Sequence, residues 1–130
     1  QTGSFYATTN DLQVTGSMLV EGGIGGTSVT LGITSLTASV DLTQGNTFEL
    51  TLVSSADTHL DITNWNGYSS FNVLVKQPAS TNTGSISFSS DFKFGQGYSY
   101  IPTPTLSAED VVSFTRFGDN AYGTYINNFS

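Results

Sequence analysis

GNTFELTLVSSADTHLDIT, residues 45–63, holds the clearest structural signal in the chain. Phe48, Leu50 and Leu52 alternate with Thr47, Glu49, Thr51 and Val53. Successive side chains of a strand point to opposite faces, so this period of two describes a strand with one buried face. Downstream, Asp57, His59 and Asp61 are spaced so that a strand would put all three on one side.

The same pattern recurs outward from this stretch. Phe71, Val73 and Val75 alternate with Asn72, Leu74 and Lys76, and Ile86 and Phe88 mark a shorter strand. Val112 and Phe114 oppose Val111, Ser113 and Thr115, and a last strand runs near Tyr122 to Ile126. Between them lie Gln44-Gly45-Asn46, Asn66-Gly67, Asn82-Thr83-Gly84, Gly95-Gln96-Gly97 and Gly118-Asp119-Asn120, all turn-forming clusters. Short strands separated by such turns predict an all-β chain, an antiparallel β-sandwich or jelly roll. The best helical stretch is LSAEDV, where Ser107 would cap a single turn with Glu109 or Asp110 near its start.

The first third reads differently. Leu12, Val14, Met18, Val20 and Ile24 are diluted by Gly and Thr, Val29, Leu31 and Ile33 alternate, and the phase slips before Leu36, Ala38, Val40 and Leu42. Ordering a backbone costs about 1–2 kcal/mol per residue, which so few apolar side chains do not offset alone. An ordered segment of this kind needs partners, either the following domain or identical chains wrapped about one axis. Thr2-Gly3-Ser4 recurs as Thr15-Gly16-Ser17, each copy followed by an apolar pair, a pattern of chains that build by stacking. The expected division is an extended β arm over 1–44 for oligomerisation and a sandwich over 45–130.

Composition narrows the function. Ten acids against Lys76, Lys93 and Arg116 give a formal charge of −7. This argues against nucleic acid and anionic membrane as partners, since both need clustered cations. Without cysteine there are no disulfides and no thiolate metal sites. Charged residues make up 10% of the chain, so solvation falls to Ser, Thr, Asn and Gln, as in extracellular β-proteins and viral surface proteins. The opening Gln1 reads as the start of a processed product or a fragment.

Residues for chemistry are few. His59 with Asp57 and Asp61 reads as a solvated strand face, because one imidazole and two carboxylates lack a complete ligand or triad pattern. Glu109 and Asp110 are adjacent, and neighbours on a strand point apart, so they form no glycosidase pair. Gly22–Gly26, GGIGG, is followed by no Lys-Ser/Thr and no helix, so it is no phosphate loop. Catalytic residues, metal and cofactor are therefore expected to be absent. Aromatic side chains on turns are the remaining contact candidates: Trp65 and Tyr68 in NWNGYSS, and Tyr98 and Tyr100 beside Gly and Pro.

One further pattern concerns residues 45–130. Gly45-Asn46-x-Phe48-x-Leu50-x-Leu52, Phe71-x-Val73-x-Val75-Lys76-Gln77, the FKFGQG segment Phe92 to Gly97, Pro104-Thr105-Leu106, Asp110 to Phe114 and Asn128-Phe129 together resemble a module that ends phage tail-fibre and other virion structural proteins. The opening QTGSFYATTNDLQVTGSMLV is similar to fibre-like repeats of marine and cyanobacterial phages. Trp is usual in the family where Phe92 and Phe94 stand, so no shared binding surface carries over.

The resemblance implies a non-enzymatic virion protein, a homotrimer on the virion surface at the outer end of a tail fibre or spike. Its partners would be itself, other virion proteins (tail or major capsid protein) and a host-surface glycan or protein, without nucleic acid or membrane insertion. On the residue pattern itself, the turn aromatics Trp65, Tyr68, Tyr98 and Tyr100 would supply the contact, and Leu12, Val14, Met18, Val20, Ile24, Val29, Leu31 and Ile33 the trimerising arm. The alternative is a trimeric capsid decoration (cement) protein, and a carbohydrate-binding module stands behind both.

Overall fold

The computed structural model describes residue 3, residues 14–65 and residues 70–129. Apart from one 3₁₀ turn at Gly95–Gly97, every regular element among them is a strand. In chain order these are β1 (Val29–Thr30), β2 (Thr37–Asp41), β3 (Thr47–Thr51), β4 (Asp57–Thr63), β5 (Ser70–Lys76), β6 (Ser85–Phe88), β7 (Phe92–Phe94), β8 (Glu109–Phe117) and β9 (Asn120–Phe129). The all-β expectation holds.

The topology overturns the antiparallel sandwich. Strands alternate between two sheets, one ordered β1-β3-β5-β8-β9-β7 and the other β2-β4-β6. Within β1-β3-β5 and β2-β4-β6 every pairing is parallel. The chain therefore winds through three successive coils of a β-solenoid, each coil giving one strand to each sheet. Beyond β5 the larger sheet continues with β8, antiparallel to its neighbours β5 and β9, and ends at β7, which pairs with β9 in parallel. A period of two reports which face is buried and is the same for either strand direction, so the alternation was correct while the topology read from it was not.

Register stacks like on like. Val29, Phe48, Val73 and Val112 follow one another across the larger sheet, and Ala38, Leu60 and Phe88 across the smaller. Phe48, Leu50, Leu60, Phe71, Val73, Val112 and Phe114 are buried between the sheets. Burying each such side chain is worth about 1.5–3 kcal/mol. Phe71 stacks on Phe114 at 4.9 Å between ring centroids, and Phe92 meets Phe114 edge-on at 5.0 Å.

Coils turn through left-handed backbone at Ser35, Leu36, Ser55, Asn64 and Thr81. Hydrogen bonds tie each corner to the next, as from Ser55 N to Thr83 O and from Leu52 N to Lys76 O. In the third corner the buried Gln77 side chain accepts from Gly84 N at 2.9 Å and donates to Gly84 O at 3.1 Å and Thr103 O at 3.0 Å.

The boundary expected at residue 44 also moves. Ala38, Val40 and Leu42 are core residues, and Val29, Leu31 and Ile33 pack against the core, so the first coil takes in much of the expected arm. Its partner is the following coil of the same chain. Val14, Met18, Val20 and Ile24 do lie exposed, outside any strand, while Leu12 and the first Thr-Gly-Ser copy fall outside the fully described segments. Glu109 and Asp110 begin β8 instead of opening a helical turn.

Candidate functional site

The contact candidates separate according to what lies beneath them. Tyr98 follows the Gly95–Gly97 turn, whose Gln96 and Gly97 have φ of 58° and 74°, and its side chain is 73% exposed. Across an open groove of about 350 Å³ stands Tyr125 on β9. The Tyr125 ring is braced by Phe94 at 6.4 Å and by Tyr100 at 5.2 Å, and remains 43% exposed. Gly95, Gln96, Gly123 and Thr124 complete the lining. The groove thus offers two phenol rings, an amide and a hydroxyl, with no charged side chain. Flat rings stack on the apolar face of a pyranose, and amide and hydroxyl groups bond its hydroxyls, so this lining suits a neutral saccharide.

Tyr100 is not available for contact. Its side chain is 1% exposed, and its hydroxyl donates to Asp110 Oδ2 at 2.5 Å. The Asp110 carboxylate, also buried, accepts four further bonds. These come from Thr103 N at 2.8 Å, Thr103 Oγ1 at 2.7 Å, Asn127 Nδ2 at 3.1 Å and Asn128 N at 2.7 Å. Asn128 is left-handed, at φ 63°, within a register shift of β9 that brings its N–H to the carboxylate. Burial alone would raise the Asp110 pKa, but bonds from Tyr100, Thr103 and Asn128 outweigh it and hold the carboxyl below its ordinary value. Burial, then the bond and charge of Asp110, push the Tyr100 phenol upward. This cluster joins β8, β9 and the 98–103 segment.

Trp65 is half-buried against the core. Arg116 Cζ lies 4.8 Å from its ring centroid, and Arg116 Nη1 donates to its carbonyl at 2.6 Å. That places it as packing material held from outside. Tyr68 lies outside the described residues. Of the four sequence candidates, Tyr98 alone is both described and openly exposed. Tyr125 was missed as its partner; its place on the last strand was visible, but its meeting with Tyr98 depends on parallel pairing of β7 with β9. Phe117 and Tyr122, exposed and edge-on at 5.7 Å, form a second aromatic pair beside the hairpin turn.

The outer face of β4 bears Asp57, His59 and Asp61 as expected. Ser85 and Ser87 on β6 donate to Asp57 Oδ1 and Oδ2, each at 2.7 Å, and His59 Nδ1 lies 3.2 Å from Ser87 Oγ. The serine bonds, chiefly that of Ser87, lower the Asp57 pKa, with a smaller contribution from His59. The hydroxyl stands between carboxylate and imidazole, whereas base-assisted attack needs the imidazole between them. No group of three potential metal ligands occurs among the described residues.

The chain matches no family model, no curated protein and no solved structure.

Proposed function

We propose that this protein is a non-enzymatic structural component of a bacteriophage virion, the C-terminal part of a trimeric tail fibre or spike that touches the host surface. The observation that carries the reading is the Tyr98–Tyr125 groove, an uncharged aromatic cleft presented beside β9 at the far end of the stacked coils. Stacked parallel coils transmit load along their axis through backbone hydrogen bonds, which suits a fibre. The sequence resemblance of residues 45–130 to fibre-end modules points the same way. Calorimetric titration with neutral host-surface polysaccharides tests it. Binding that is weakened about two- to ten-fold in Tyr98→Ala supports the assignment, and absence of binding to every such glycan removes the groove from it.

A capsid decoration protein is the second reading, favoured by the exposed arm, in which Leu19 is 84% and Ile24 79% exposed. Such a segment suits lying across neighbouring shell subunits. Imaging of virions with a C-terminal label separates the two: signal over the head selects decoration, and signal at the tail selects the fibre.

A further inference from the structure

The two sheets are unequal, and the shorter one stops at an open edge. Ser85 N and Ser89 N donate to Ala56 O and Leu60 O on the β4 side. In a parallel ladder alternate residues bond to alternate sides, so the backbone groups of Ile86 and Phe88 face away from β4. Among the described residues no strand pairs with β6 there, although the larger sheet continues through β8, β9 and β7. Instead, an open cleft of about 560 Å³ lies along that edge, lined by Ile86 and Phe88, by Phe92 and Phe94 of β7, and by Ser99. Lys93 is the one cation in this lining, and the Ser89 hydroxyl in its wall is buried without a partner. An apolar cleft beside an unpaired strand edge is the geometry in which an extended segment adds as a further strand.

The described arm has the complementary character. Residues 14–28 belong to no strand or helix and are exposed, with Val14, Met18, Leu19, Val20 and Ile24 all open to solvent. Their single charged residue is Glu21. The sole ion pair among the described residues is Lys76–Glu49, so neither Glu21 nor Lys93 has an opposite charge from a described residue within salt-bridge reach. The arm joins the body at the first coil, beside Gly45 and Asn46, whereas the cleft borders the third.

We infer that the Met18–Ile24 segment of one copy seats in the β6-edge cleft of a second copy, as an added strand with Glu21 against Lys93. The contact is head-to-tail, so it closes into a ring or continues as a filament. It deepens the assembly part of the proposed function and rests on that reading only for closure at three copies.

The chain has no cysteine, which allows single cysteines to report the seat. Leu19→Cys protein mixed with Ser99→Cys protein and oxidised should form the mixed disulfide dimer, and the exposed Thr43→Cys at the other end of the body should not. Lys93→Glu should weaken association by about two- to five-fold, and adding Glu21→Lys should restore it, with unchanged circular dichroism showing that the variants fold. Equal coupling to Thr43→Cys, no coupling at all, or failure of the double reversal to restore association overturns the inference. So does a Leu19→Cys/Ser99→Cys double variant that links only within one chain. A trimer by light scattering without the mixed disulfide sinks the seat alone; a monomer at every concentration sinks the trimer as well.

Discussion

The Tyr100 hydroxyl donates to Asp110 Oδ2 at 2.5 Å, with both side chains withdrawn from solvent. A carboxylate buried among apolar side chains is costly unless its lone pairs are filled, and here five donors fill them. The pair fastens the irregular 98–103 segment to the closing hairpin of β8 and β9.

Replacing Asp110 with Val should therefore be severe. Five donors would lose their acceptor at once, and urea unfolding followed by fluorescence should show a loss of about 3–5 kcal/mol. Asp110→Asn should cost less, because one oxygen is kept.

The depressed Asp110 pKa fixes the sign of the acid response. The carboxyl binds its proton more readily in the unfolded chain, so its contribution is complete above the unfolded value of about 3.9. It is lost as pH falls below that value toward the lower folded pKa. Below about pH 4, wild-type stability should fall more steeply than that of Asp110→Asn, as read from denaturation midpoints across pH. The raised Tyr100 pKa acts at the other limit. Its contribution is present below about pH 10 and fades as pH rises above it. Tyr100→Phe should blunt that alkaline loss.

Two glycines should respond differently to alanine. A Cβ on Gly84 would stand 2.3 Å from the Val53 carbonyl oxygen, a backbone atom held in a corner of the solenoid. One on Gly123 would stand 2.6 Å and 2.8 Å from ring atoms of Phe114 and Phe94, which can shift only by disturbing their packing. Thermal melts should show each destabilised by at least about 1–3 kcal/mol, Gly84→Ala the more. Gly95→Ala, with open space about it, should melt close to wild type.

Arg116 closes over Trp65 both as a cation on the ring and as a donor to the carbonyl. Arg116→Ala should cost about 1–2 kcal/mol. Since Trp65 is the single tryptophan, its emission should move to longer wavelength as the ring gains water.

Tyr98 bears the opposite expectation. It is exposed beside a turn, so Tyr98→Ala should leave the unfolding free energy within about 0.5 kcal/mol of wild type. The same change should weaken binding of a neutral glycan by about two- to ten-fold, and Tyr98→Phe should retain most of it, because the ring face is kept.

The sequence by itself determined which faces are buried. Phe48 with Leu50, Phe71 with Val73 and Val75, and Val112 with Phe114 all point inward as their alternation requires. The turn at Gly118-Asp119 and the outward face of Asp57, His59 and Asp61 were equally plain, because each depends on residues close in the chain. Tertiary structure decided the rest. Strand direction and partner depend on corners that bond one coil to the next, as Ser55 does to Thr83, and a local period of two carries no trace of them. The same holds for Tyr98 and Tyr100, two residues apart with similar neighbours. One faces solvent because it follows a tight turn; the other is buried because a carboxylate brought by β8 waits for its hydroxyl.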